Sequence, residues 1–121
     1  MAEEKLVTRI AKLLDDKKAK DVLALRVSHL TSLADYLVIA TGHNPIQTKA
    51  LCEHLDKQLS EKGLEPRRVE GRGDNQWIVM DYADVIVHLF TPDTRSYYRL
   101  ERLWDDGQNR VPLPFLEPAG M

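Results

Sequence analysis

Apolar residues fall into short blocks whose spacing alternates between helical and extended. From Glu3 to Asp16, Leu6, Ile10, Leu13 and Leu14 recur at helical spacing with basic residues between them, which predicts an amphipathic helix. The polar run Asp15–Lys20 ends it. Val22–Val27 then reads as a strand and Ser28–Ala34 as a connection. Tyr36–Thr41 is apolar on both faces, as expected of a central strand covered from both sides. Gly42-His43-Asn44-Pro45 turns the chain into a second helix, with Asn44 as N-cap and Pro45 at the first helical position. That helix is expected to end near Gly63, a residue suited to a left-handed C-terminal corner.

Arg67–Gly71 reads as a short strand and Gly71–Asn75 as a flexible turn. The tripeptide Arg72-Gly73-Asp74 within it looks like an adhesion motif but is read only as a turn. Gln76–Asp81 and Asp84–Phe90 form a predicted hairpin joined at Tyr82-Ala83. Thr91-Pro92-Asp93 starts a third helix by the same capping logic as Asn44-Pro45. From Asp105 the chain turns to Gly, Pro and polar residues, and Pro112, Pro114 and Pro118 forbid a continuing helix. Residues 105–121 are expected to be a tail behind a domain spanning residues 1–104. The order is α-β-β-α-β-β-β-α, an α/β fold with a mixed five-stranded sheet packed by helices. The helix between Tyr36–Thr41 and Arg67–Gly71 is long enough to cross over between parallel strands.

A two-residue loop at Tyr82-Ala83 would pair Asp81 with Asp84, Val79 with Ile86 and Trp77 with His88. Ile78, Met80, Val85, Val87 and Leu89 then share a uniformly aliphatic face suited to a core under the helices. Trp77, Val79, Ile86, His88 and Phe90 share the other face, which is larger, more aromatic and polar at His88. Arg95, Tyr97, Tyr98, Arg99, Leu100, Arg102, Leu103 and Trp104 add a second aromatic and basic set. Such residues at an incompletely covered surface serve as binding anchors, because they bury much area at low entropic cost.

The 121 residues suffice for one ordinary core. With 17 basic against 19 acidic residues, the chain lacks the basic excess that broad binding to free DNA requires. Cys52 is the single cysteine, so no intramolecular disulfide is available; its place among Ile46, Ala50, Leu51, Leu55 and Leu59 marks it as an inert core thiol. No apolar run reaches membrane-spanning length and the start lacks an apolar leader, so a cytoplasmic protein is expected.

Candidate chemistry is sparse. His29, His43, His54 and His88 form no recognised metal-binding pair. Thr41-Gly42-His43-Asn44 occupies a strand-to-helix turn where anions often bind, yet neither GxxxxGK[ST] nor GxGxxG is present. Asp81 and Asp84 flank a turn, where polar residues are expected anyway, rather than sharing one strand face as paired metal ligands do. An enzyme reading would have to use Gly42, His43, Asp81 and Asp84. The reading adopted has no catalytic residues, no cofactor and no metal.

Four segments together resemble the ribosomal silencing factor (Iojap-related) family: Asp35-Tyr-Leu-Val-Ile-Ala-Thr-Gly42; Glu70-Gly71 followed by Trp77-Ile-Val-Met-Asp-Tyr82; Asp84-Val-Ile-Val-His-Leu-Phe90; and Arg95-x-Tyr-Tyr-x-Leu-Glu-Arg-Leu-Trp104. The likeness runs from the first helix to about Trp104 and leaves out Val111–Met121. It implies a fold related to nucleotidyltransferases, with Thr41-Gly42-His43 standing where those enzymes have a Gly-Ser motif and without evident acidic metal ligands. It also implies binding to the large ribosomal subunit through ribosomal protein L-fourteen. Joining of the small subunit is thereby blocked, and translation falls when nutrients are short. Carried onto matching positions, the partner-binding residues are Trp77 and His88 on the sheet with Tyr98, Leu100 and Trp104 beyond it. Asp81, Asp84 and Glu101 would complement a basic ribosomal surface. A homodimer is a further possible partner state, and no membrane partner is implied.

Overall fold

A computed structural model describes residues 2–116. Its elements are α1 (Ala2–Asp16), β1 (Lys20–Arg26), β2 (Tyr36–Thr41), α2 (Pro45–Ser60), β3 (Arg68–Glu70), β4 (Trp77–Asp81), β5 (Val85–Phe90), α3 (Pro92–Tyr98), α4 (Glu101–Trp104) and a 3-10 turn at Pro114–Leu116. The expected α/β order is observed. The five strands form one sheet in the order β1-β2-β5-β4-β3. Only β2 and β5 pair in parallel; the other three pairings are antiparallel. Two antiparallel steps separate β5 from β3, so β2 and β3 run the same way, and α2 carries the chain from one to the other past two strands.

β2 is buried at all six positions, as its two-faced apolar pattern predicts. On one side α1 and α2 cover Val38, Ala40, Ile78, Met80, Val85, Val87 and Leu89, together with their own Val7, Ile10, Leu14, Leu51, Cys52 and Leu55. Burial pushes the Cys52 thiol up, away from reactivity. The N-cap is as expected: the Asn44 side chain accepts from the Gln47 N–H at 2.9 Å. Gly63 takes the left-handed corner after α2, with φ +84°. The helix face differs in detail, because Ile46 and Ala50 are exposed and Thr48 is buried in their place.

The hairpin register needs correction. Trp77 pairs with Phe90, Val79 with His88 and Asp81 with Ile86, whereas the expected partners were His88, Ile86 and Asp84. Tyr82 N–H bonds the Val85 carbonyl at 2.9 Å, so the loop is Ala83-Asp84 rather than Tyr82-Ala83. Tyr82 is drawn into the core and only 5% exposed. Ala83 accepts the strained left-handed conformation, with φ +73°, and its N–H bonds Asp81 Oδ1 at 2.8 Å. Burying an aromatic ring outweighs roughly 1 kcal/mol of backbone strain. The slip is by two residues, so every side chain keeps its predicted face.

Two further expectations change. The third helix does not run on to Trp104; it breaks at Arg99, whose φ of +47° turns the chain before α4. Thr91 caps no helix N–H, its hydroxyl pairing instead with Gln76 and Thr94. Residues 105–116 are not a loose tail. Asn109 O accepts from Arg26 N–H, and Val111 N–H donates to Ala24 O, both at 2.8 Å. Val111 and Leu113 are buried in the core. This segment thereby covers the outer edge of β1, which would otherwise expose unpaired strand groups. Residues 117–121, also assigned to the tail, lie outside the described residues.

Gly71 sets the approach to β4. Its φ is +89°, and a Cβ there would lie 1.9 Å from the Trp77 carbonyl oxygen. Gly63 has a similar φ but open space around it. Gly71→Ala should therefore cost at least about 2 kcal/mol in urea unfolding, against about 1 kcal/mol for Gly63→Ala. Equal losses would show that backbone conformation alone, and not the contact with Trp77, governs the turn.

Candidate docking face

The sheet face opposite α1 and α2 is the candidate functional site. Period-two alternation puts Trp77 and Val79 of β4 there, with Ile86, His88 and Phe90 of β5 and Leu37 and Ile39 of β2. Phe90, Leu25, Val27, Leu37 and Ile39 are fully or nearly buried and form a second cluster. The short α3–α4 unit lays Leu100 and Trp104 on it. Those eleven helical residues are too few to cover five strands, and much of β4 and β5 stays open.

Trp77 organises the open part. Its ring stacks on Phe90 at 4.9 Å between centroids and 27° between planes. Tyr98 meets Trp77 at 4.7 Å, and Tyr97 stands edge-on to Tyr98 at 4.9 Å. The indole Nε1–H donates to His88 Nδ1 at 3.0 Å, which leaves the imidazole neutral with its proton on Nε2. Burial pulls His88 down to about 4. Tyr98 is 51% exposed, Tyr97 80% and Leu103 72%. Phe90 beneath the stack is thus buried, Trp77 and His88 are partly buried, and the Tyr97, Tyr98 and Leu103 side chains stand exposed around them.

Beside the stack an apolar groove of about 280 Å³ runs between β4–β5 and the loop that follows β1. Val79, Ile86, His88, Leu100, Trp104 and Leu33 are among the residues that line it. Leu33, 75% exposed, and Leu30, 45% exposed, went unnoticed in the sequence because Ser28–Ala34 reads as a plain connection. Two leucines within that otherwise polar loop were the available signal.

The anticipated binding residues therefore divide. Trp77, His88, Tyr98, Leu100 and Trp104 come together on this face. Asp81 lies at its margin but is occupied: Arg67 holds both carboxylate oxygens at 3.2 Å. Glu101 faces the other side of α4, with Arg95 at 3.3 Å. Asp84 is exposed on the hairpin loop, where carboxylate oxygens of Glu3, Asp35 and Asp84 lie within 4.8 Å of one another. Only Asp84 of the three acids is free of an arginine partner among the described residues.

The set required by an enzyme reading is not assembled. Tyr36 pairs with Val85 and Thr41 with Phe90, so Asp84 and Gly42 sit at opposite ends of the parallel pair, roughly 17 Å apart at strand rise. At the Gly42 turn the backbone donors are spent: Gly42 N–H bonds Phe90 O, and His43 N–H bonds Gln47 Oε1. A Cβ at Gly42 would meet Thr48 Cγ2 at 2.8 Å, so the glycine serves close packing of the turn. No helix among the described residues is long and apolar enough to cross a membrane.

The architecture is an antiparallel-rich α/β sheet with α1 and α2 on one face and a partly roofed aromatic cluster on the other. The profile of the family described as "Ribosomal silencing factor during starvation" matches residues 1–119. The "Ribosomal silencing factor RsfS" of Halalkalibacterium halodurans is 38% identical over 106 residues, covering 88% of this chain and 91% of that protein. A crystal structure from Chromobacterium violaceum superposes with a TM-score of 0.79 at 34% identity, covering 91% of this chain and 94% of that one. The mouse "Mitochondrial assembly of ribosomal large subunit protein 1" is 29% identical over 103 residues, 81% of this chain and 44% of that protein. The chain belongs to the ribosomal silencing factor family. The match extends past Trp104, where the sequence resemblance had been drawn to a close, and takes in the packed segment 105–116.

Burial of His88 makes the face sensitive to acid. His88 titrates lower folded than the ordinary 6.5, so stability present above pH 6.5 is lost as pH falls toward 4. The slope should approach about 1.4 kcal/mol per pH unit inside that window. His88→Asn, which keeps an acceptor for the indole, should remove that component from urea midpoints measured between pH 7 and 4. Superimposable wild-type and variant profiles would show that His88 is not the group responsible.

Proposed function

We propose that this protein docks on the large ribosomal subunit through ribosomal protein L-fourteen and blocks joining of the small subunit. Translation is thereby repressed under nutrient limitation. The observation that supports this reading is the unfinished sheet face, where Leu100 and Trp104 line an apolar groove and the Trp77–Tyr98 pair lies beside it. Family membership and the large-subunit role in the mouse relative's name point the same way. The mechanism is steric: a domain of this size needs affinity and volume, not turnover, and so no cofactor. It acts where ribosomes assemble, in the cytoplasm.

The aromatic residues supply the affinity, since rings held on a floor lose little entropy on binding. Asp84, the one unpaired acid of the three candidates, steers association with a basic ribosomal protein more than it strengthens the complex. Asp81 and Glu101 act indirectly, by fixing the hairpin and α4. A second copy of the chain would use the same face, so self-association and docking compete.

Sedimentation with isolated large subunits tests the reading. Wild-type protein should co-sediment and should lower the yield of joined subunits when small subunits are added. Trp77→Ala with Tyr98→Ala should weaken binding by about thirtyfold or more, equivalent to about 2 kcal/mol. Leu103→Asp, at an exposed position, should weaken it without lowering the urea midpoint. Failure of the wild type to bind overturns the function; undiminished binding by the variants overturns the surface.

A further inference from the structure

A second concavity, about 650 Å³, lies on the other flank of α3–α4 and takes no part in the aromatic face. Residues 99–104 separate the two. Leu100 and Trp104 turn toward the apolar groove, while Arg99, Glu101 and Arg102 line this second one with Arg95 and Arg110. Four guanidinium groups thus converge on one cleft in a protein whose net charge is −2.

The four have different roles. Arg95 is the foundation: one terminal nitrogen donates to Asp21 O at 2.6 Å and to Thr41 Oγ1 at 2.8 Å, and Nε meets Glu101 at 3.3 Å. It ties α3–α4 to β1 and β2 and neutralises Glu101. Arg110 is paired with Asp105 at 2.8 Å. Arg99 and Arg102 have no carboxylate partner among the described residues and are exposed. Arg99 lines the cleft and is anchored by its Nε–H, which donates to Ser96 O at 3.1 Å. It also occupies a left-handed corner, φ +47°, where glycine or asparagine would cost less.

We propose that this cleft receives the phosphate backbone of RNA. Planar guanidinium forks match phosphate oxygens two at a time. No aromatic ring lines the cleft, so it lacks a platform for a nucleobase, and the backbone is the part of a nucleic acid that fits. The choice of RNA rests on the docking reading above, because a ribosomal surface presents protein and RNA side by side. The two clefts share α3–α4, so engagement of the aromatic face brings the arginines to neighbouring RNA.

The test titrates full-length protein with protein-free large-subunit RNA by filter retention over a range of salt. Wild type should bind with an affinity that falls as salt rises. Arg99→Ser with Arg102→Ser should weaken binding about tenfold and reduce the log–log salt slope by about 1.5. Trp77→Ala with Tyr98→Ala should leave this RNA binding unchanged while weakening sedimentation with whole subunits. Absence of RNA retention by the wild type, or an unaltered slope in the arginine variant, overturns the inference. If the arginine variant instead loses affinity for isolated ribosomal protein, the cleft takes a protein segment and the RNA assignment is wrong. Failure of the wild-type protein to sediment with whole subunits while it retains this RNA binding would strike the proposed function alone.

Discussion

Everything in this molecule follows from unequal cover on a sheet whose central strand is apolar on both faces. β2 must be buried twice over, and α1 with α2 supply one layer generously. The other layer has only the seven residues of α3 and the four of α4. They seal the region above β1 and β2 through Leu100 and Trp104 and leave β4 and β5 incompletely roofed. Apolar area left in water costs about 25 cal/mol per Å², which a partner recovers on docking. In the proposed docking, incomplete cover is the source of the affinity.

The polar groups stabilise this asymmetry rather than react. Arg67 on Asp81, Arg95 on Glu101 and His88 on Trp77 each hold a loop, a helix or a ring in place. Asp81, Arg95 and Glu101 are largely enclosed, and each would be costly to leave alone. The result is a preorganised surface whose floor does not have to rearrange on contact, which spares the ordering cost that weakens flexible binders. Carboxylates that look available for steering in the sequence are, with the exception of Asp84, committed within the chain.

How much was legible beforehand depends on the range of the interactions involved. Strand and helix identities followed from local spacing, and the Asn44 cap and the Gly63 corner came from residue chemistry within one turn. The two hairpin faces were readable because a period of two survives a slip of two. The register itself was not, since it is decided by Tyr82 packing near Cys52 on a distant helix. Residues 105–116 misled for a similar reason: prolines forbid helix and regular strand, yet they permit an extended segment to lie along β1. The partners of Asp81 and Glu101 were also hidden. Arg67 and Arg95 reach them through the tertiary fold and across a helix break that helical spacing does not anticipate.

The placement of the two tryptophans has a practical corollary. Trp77 and Trp104 are the only indoles in the chain, and both pack against the apolar cluster on the partly covered sheet face. Trp77 touches an imidazole through its own N–H. Indole emission, excited at the red edge where the tyrosines absorb little, therefore originates wholly at this face. The molecule carries its own label where contact is made, and occupancy of that face can be followed by colour and intensity without attaching a dye.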